Sequence, residues 1–170
     1  MNANSASGAR AYKTLPVIFF FLCSAFGQIP SRNLLNHLVG SWIMTGTVLK
    51  KPVQYRAEAA WVLQRQFLRL HMVDTSSPPT YEADLFIGLD TSKNQYVAHW
   101  LDKFGGAGAR VFATGPLSSD KVEFTFPYEE GRFHDQFEYD SAKDEWSFVI
   151  ESEGKGGQWT EFAHYAIKRR

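Results

Sequence analysis

From Ser41 onward, apolar or aromatic residues alternate with polar ones at a period of two, and clusters of Gly, Pro, Asp, Asn and Ser interrupt them at near-regular spacing. Tyr55, Ala57, Ala59, Trp61 and Leu63 share one face, with Arg56 and Glu58 opposite. Tyr81, Ala83, Leu85, Ile87 and Leu89 oppose Glu82 and Asp84, and Phe133, Phe137 and Tyr139 oppose Arg132, His134, Gln136 and Glu138. Val122, Phe124, Phe126 and Tyr128 repeat the pattern. Half-buried antiparallel strands have this period because successive side chains leave opposite faces of the pleat. A helical period is present only briefly, over residues 32–38, where Ser31 is placed to cap a short turn that ends at Gly40.

The runs predict ten strands: Ser41–Lys50, Gln54–Leu63, Phe67–Asp74, Tyr81–Leu89, Tyr96–Asp102, Ala109–Gly115, Val122–Tyr128, Phe133–Tyr139, Trp146–Glu153 and Trp159–Lys168. Turns are expected at Lys51-Pro52, near Gln64, and at the Gly/Pro/Asp/Ser clusters between the later runs. Short consecutive connections favour an up-and-down meander, and a meander of this many strands removes its edges by closing. The expected fold is all-β: one antiparallel up-and-down barrel of about ten strands over residues 28–170, preceded by a short helical turn.

The first 27 residues read differently. Arg10 and Lys13 precede the apolar run Leu15–Leu22, and Ala25-Phe26-Gly27 supplies small residues for a signal peptidase, with cleavage before Gln28. The run is too short to span a bilayer, which takes about 20 residues. The expectation is a cleaved signal peptide and a barrel exported to the periplasm or the medium, not embedded in a membrane. Cys23, the single cysteine, lies inside this segment behind Phe20-Phe21-Leu22, a poor setting for lipid attachment. The rest of the chain then has no thiol for a disulfide, a zinc site or a nucleophile. Cleavage would also leave two more acids than bases, so no basic footprint for nucleic acid is expected.

Leu38-Val39-Gly40-Ser41-Trp42 resembles the start of lipocalins and their calycin relatives, a Gly-x-Trp behind a short helical turn. The resemblance implies that Trp42 closes one end of the barrel and that a basic residue from Lys168, Arg169 or Arg170 packs over it. The stretches Val62–Leu68, Tyr81–Asp90, Gln95-Tyr96-Val97 and Trp100-Leu101-Asp102 resemble the lipocalin-like domain of bacterial exported proteins of unknown function. The strand count is also similar to that of nitrobindin-like barrels, which implies ferric haem on a histidine near the C-terminus. Here Ile43-Met44-Thr45-Gly46-Thr47 lacks the glycine-rich continuation of that family, and His164 lacks its flanking pattern, so no cofactor is expected.

Catalytic signatures such as Gly-x-Ser-x-Gly, His-Glu-x-x-His or a Walker loop are absent, and no metal site is expected. Gly105-Gly106-Ala107-Gly108 reads as a hairpin turn, since no helix follows it to cradle a phosphate. Aromatic side chains on the inward faces are the candidate ligand contacts: Trp61, Trp100, Phe124, Phe137 and Trp146, with Trp159 at the face or its mouth. Arg69 and His71 share one face, opposite Leu68, Leu70 and Met72. They would hold an anionic head group if that face turned inward, although burial preference turns the leucines in. Asp135 and Glu161 interrupt apolar faces. An inward carboxylate is costly and a candidate acid or base, whereas a bulge or the rim would return it to water. His99 and His134 read as surface residues. The pattern therefore carries a binding reading and two alternatives to it. The first is a barrel binding a small apolar or amphipathic ligand; the alternatives are an isomerase or hydrolase and a structural envelope protein on the same scaffold.

Overall fold

The structure, a computed structural model, describes residues 30–170. The signal-peptide reading, with Arg10, Lys13, Cys23 and the cleavage position, lies outside the described residues. A helix α1 (Pro30–Leu38) leads into ten strands. These are β1 (Gly40–Val48), β2 (Lys51–Val62), β3 (Phe67–Asp74), β4 (Glu82–Asp90), β5 (Gln95–Asp102), β6 (Phe112–Pro116), β7 (Lys121–Phe126), β8 (Phe133–Asp140), β9 (Glu145–Glu153) and β10 (Trp159–Arg169). Each strand pairs antiparallel with its neighbours in sequence, and β1 pairs with β10, so the sheet closes as an up-and-down barrel. Closure leaves no strand edge open to another chain.

The elements differ from the expected ones in two places. The first turn is Leu49-Lys50, both at positive φ (49° and 64°), and Lys51-Pro52 belong to β2, where Pro52 sits opposite Thr47. A two-residue hairpin turn with positive φ at both positions matches the twist of its strands, and a proline is tolerated near a strand's start. The sixth strand begins at Phe112 rather than Ala109, because Gly108–Arg110 form a single 3₁₀ turn.

Two hairpins show how local chemistry fixes register. Asp90-Thr91-Ser92-Lys93-Asn94 and Asp140-Ser141-Ala142-Lys143-Asp144 are built alike. In each, the first aspartate accepts a backbone N–H two residues on, at 3.1 Å from Ser92 and 3.0 Å from Ala142. Each then returns through a left-handed residue, Asn94 at φ 53° and Asp144 at φ 52°. Asn and Asp tolerate that conformation better than other side chains do.

α1 lies across the end where β1, β3, β5, β7 and β9 begin. Leu34, Leu35 and Leu38 bury themselves there against the core. This half of the interior is filled. Phe137 stacks on Phe148 with ring centroids 3.8 Å apart, and Trp42, Met44, Leu70, Ile87, Tyr96 and Phe124 are buried around them.

The closure of this end centres on Trp42. Its indole donates to the Leu38 carbonyl at 2.7 Å, and the Arg169 guanidinium lies 3.8 Å over its ring. Arg169 also donates to the carbonyls of Val39 (2.8 Å) and His37 (3.1 Å) and to Asp144 (2.9 Å). The last carbonyls of a helix lack intrahelical partners, so the guanidinium supplies what α1 cannot. Gly40 makes room for it. Its φ is +135°, and a Cβ there would meet the Arg169 Nη1 at 2.3 Å. The basic residue implied by the Gly-x-Trp resemblance is thus Arg169; Lys168 pairs with Glu145 instead.

Candidate functional site: an aromatic cavity with one buried carboxyl

At the opposite end the strands leave a cavity of about 890 Å³, lined by alternate residues of β1, β2, β5, β7, β8, β9 and β10. Its floor is a tyrosine cluster: Tyr55 meets Tyr81 and Tyr165 edge-on, at 5.9 Å and 5.8 Å between centroids. The Trp100 indole donates to the Tyr81 hydroxyl (3.2 Å), which donates to Asp102 (3.1 Å). Burial pushes the Tyr81 and Tyr165 phenols well above their ordinary value, so both stay neutral donors. A second aromatic group forms the wall: Tyr128 meets Phe133 at 5.8 Å, and Phe133 meets Phe162 at 5.2 Å.

Except for the two-residue β1–β2 turn, the connections at the mouth are longer than those at the closed end. After Asp102, Phe104 is held over the opening by its N–H to the Asp102 carboxylate (2.9 Å) and is largely exposed. Gly105 (φ +80°) turns the chain there with nothing packed near its Cβ position. Only the single 3₁₀ turn follows, so no helix N-terminus faces the glycines. Leu49, at the β1–β2 turn, is the other exposed apolar residue at the rim.

Asp135 is the exception in this lining. It lies in the middle of β8, opposite Phe124 of β7 and Ile150 of β9, and is 2% exposed. Its side chain contributes to the cavity wall. Among the described residues its carboxyl has no hydrogen-bond or ionic partner, and desolvation alone drives its pKa well above the usual carboxylate range. The expectation of a bulge that returns this acid to water is overturned: β8 pairs in unbroken register with both neighbours, so the alternation carries Asp135 inward.

Glu161 has the opposite fate. The register of β10 against β9 shifts between Glu161 and Ala163, and Glu161 is exposed while Phe162 enters the cavity wall.

Of the candidate ligand contacts, Trp100 lines the cavity. Phe124, Phe137 and Trp146 lie inside the barrel but within the packed half, Trp146 donating to the His37 carbonyl at 3.5 Å. Trp61 belongs to the closed end, where it donates to Asn36 (2.8 Å) and lies between the guanidiniums of Arg32 and Arg65. Trp159 is on the outer wall under Arg132. Arg69 and His71 are also outside, because Leu68, Leu70 and Met72 take the inward positions of β3. Both bond to Asp84, at 2.7 Å and 2.9 Å. Burial would raise the Asp84 carboxyl, but its Arg69 and His71 hydrogen bonds outweigh that and hold it below its ordinary value.

The lining residues that sequence reasoning missed are mainly Tyr55, Tyr81, Tyr128, Phe133 and Tyr165. All but Tyr165 fall on the alternating apolar faces of the sequence, but nothing local in the chain says which inward residues border space and which border each other.

Histidine ligation of haem does not fit. No histidine lines the cavity, and His164, opposite Val149 and Thr47, is exposed on the outer wall. No three of His, Cys, Asp and Glu cluster as metal ligands among the described residues. No helix among them is long and apolar enough to cross a membrane.

No protein-family model matches the chain, and no curated protein matches it. Among solved structures, the crystal structure of Rv2717c from M. tuberculosis is similar, with a TM-score of 0.58 over 84% of this chain and 98% of that one. At 14% identity the similarity concerns the fold alone: a barrel of the lipocalin-like kind.

Proposed function

We propose that this chain is an exported binding barrel whose cavity carries one small apolar or amphipathic molecule. The observation that carries the reading is the cavity itself, about 890 Å³ with mainly aromatic walls. Cavities of a few hundred to a thousand Å³ with apolar walls and a few polar groups are the usual form of small-molecule sites. Ten strands give a wider interior than eight, and side chains fill only the half under α1. Export is supported by the charged and apolar pattern of residues 10–27.

The test is native mass spectrometry of the full-length gene product, exported by a bacterial host and purified without detergent. A single adduct at one-to-one stoichiometry is expected, or uptake of one equivalent of a medium-chain apolar compound added to the bare protein. A protein that takes up none of a panel of apolar, cationic and anionic amphiphiles would overturn the reading.

Asp135 favours a second reading. A carboxyl kept neutral in an apolar site can deliver a proton, so the barrel would be an acid–base enzyme. A bound compound recovered with unchanged mass and structure after long incubation supports carriage; a converted one supports catalysis.

A further inference from the structure

Of the polar groups bordering the cavity, Asp135 is the one whose presence the fold does not explain. Its strand neighbours Phe124 and Ile150 are apolar, and a leucine or phenylalanine at that position would continue the inward pattern of Phe133 and Phe137. No backbone N–H caps it, and no cation answers it among the described residues. It nevertheless borders the cavity: among the described residues no fully enclosed side-chain oxygen or nitrogen lacks a partner, so the small exposure Asp135 retains is exposure to the cavity. An unpaired buried acid is costly to a fold and is found chiefly where a ligand answers it.

The surroundings say what kind of ligand. The charged groups bordering the cavity are Lys51 and four acids: Asp102, Glu130, Asp135 and Glu153. Glu153 is neutralised by a two-pronged bond to Arg132, at 2.6 Å for each contact. With burial favouring the protonated form of Asp135, Asp102 and Glu130 then face one ammonium, a balance that favours cations over fatty-acid head groups. The walls suit a cation as well, because the faces of tyrosine, tryptophan and phenylalanine rings attract positive charge.

We propose that the cavity takes a cationic amphiphile, an alkyl- or aryl-ammonium compound, with its head group on the Asp135 carboxylate and its apolar part among the aromatic walls. The proposal rests on the binding-barrel reading and assigns that site its ligand class. The titratable groups facing Asp135 are the Tyr128 hydroxyl, beyond β7, and the Tyr165 hydroxyl of β10; burial raises both phenols, and a charge on Asp135 adds to it. They remain neutral and can turn their oxygens toward an ammonium. Burial favours the protonated form of Asp135, so a cation that pairs with its carboxylate draws that proton off, and binding is coupled to proton release.

Three probes of equal chain length separate the outcomes: octylammonium, octanol and octanoate, titrated into the full protein by calorimetry with tryptophan fluorescence as a second signal. Octylammonium is expected to bind about tenfold or more tightly than octanol, and octanoate most weakly. Its binding enthalpy should depend on the buffer's own protonation enthalpy. Asp135→Asn should abolish the preference for octylammonium over octanol and the proton release. Octanol or octanoate binding as well as octylammonium, or a preference that survives in the variant, overturns the proposal and leaves the binding barrel standing. Failure of all three probes overturns both. If Asp135→Asn does not fold, the order of the three probes on the unaltered protein decides.

Discussion

The two ends of this barrel are made by the same ten strands and have opposite economies. At the closed end a short helix, a buried indole and one guanidinium satisfy every group they bring: Trp42 donates to Leu38, and Arg169 takes the loose carbonyls of His37 and Val39 while covering the indole. At the open end the aromatic walls stand apart around a cavity, and a carboxyl there has no partner among the described residues. Stability is therefore concentrated at one end, while the other retains groups that cost stability. Such an asymmetry is expected of a scaffold that holds a site.

The comparison is broken most severely by Trp42→Ala. The indole is completely buried, and its loss leaves a cavity under α1 together with an unanswered Leu38 carbonyl. A loss of about 3–5 kcal/mol is expected in denaturant unfolding. Trp100→Ala, at the open end, removes a half-buried ring that already borders space. It should cost less than half as much and should instead weaken ligand uptake. Equal losses at the two sites would mean that the open end is packed too.

Gly40→Ala probes how the closed end is assembled. The φ of +135° is strained for alanine, and the new Cβ would displace the Arg169 guanidinium. A cost of about 1–3 kcal/mol is expected. In an Arg169→Ala background the steric part disappears and only the backbone strain remains. A double-mutant cycle should therefore show coupling of about 0.5–3 kcal/mol. Strict additivity would show that Gly40 is there for its backbone alone.

These residues also mark how much was legible in the chain. The closed end is local: Gly-x-Trp lies in three consecutive residues, and the strand alternation beside it is uninterrupted. The barrel and its strand count were accordingly readable, whereas the Trp42–basic contact came only with the Gly-x-Trp resemblance. The open end depends on the register each strand keeps against its neighbours. Asp135 and Glu161 look alike in sequence, each an acid interrupting an apolar alternation. One enters the barrel because β8 keeps register, and the other leaves because β10 shifts between Glu161 and Ala163. A one-residue slip exchanges the faces of a strand, and neither local sequence announces it. Similarly, Phe137 and Tyr165 both point inward, and only the assembled barrel decides which of them meets a stacked neighbour and which also borders the cavity.

Asp135→Asn sharpens the contrast through pH. The folded carboxyl has its pKa raised by burial, so the wild type's contribution from this group is most favourable below the unfolded carboxylate value, near 3.9. It is lost progressively as pH rises through the folded value. The amide cannot ionise. The variant should match the wild type at acid pH and become more stable as pH rises, by about 1–3 kcal/mol once the carboxylate is charged. The comparison must be the difference between the two proteins, because paired surface acids such as Asp84 and Asp144 shift in the opposite direction. A difference that stays flat with pH would place Asp135 in contact with water.

The smallest effect belongs to the outer wall. Arg69 lies across Asp84 with its side chain 40% exposed. Exposed ion pairs contribute little, because water screens them and two long side chains must be ordered. Arg69→Ala should cost less than about 1 kcal/mol near neutral pH. The Asp84 pair contributes above the ordinary carboxylate range and is lost as pH falls through the lowered Asp84 value, so even this cost should vanish in acid. Ligand uptake should be untouched, since the sheet itself separates Arg69 from the cavity. A variant that kept its stability yet lost binding would put an inward face on β3 and reverse the assignment of its walls. The alternation of buried Leu68, Leu70 and Met72 argues against that outcome, because a strand cannot turn Arg69 inward without turning all three leucine-side residues into water.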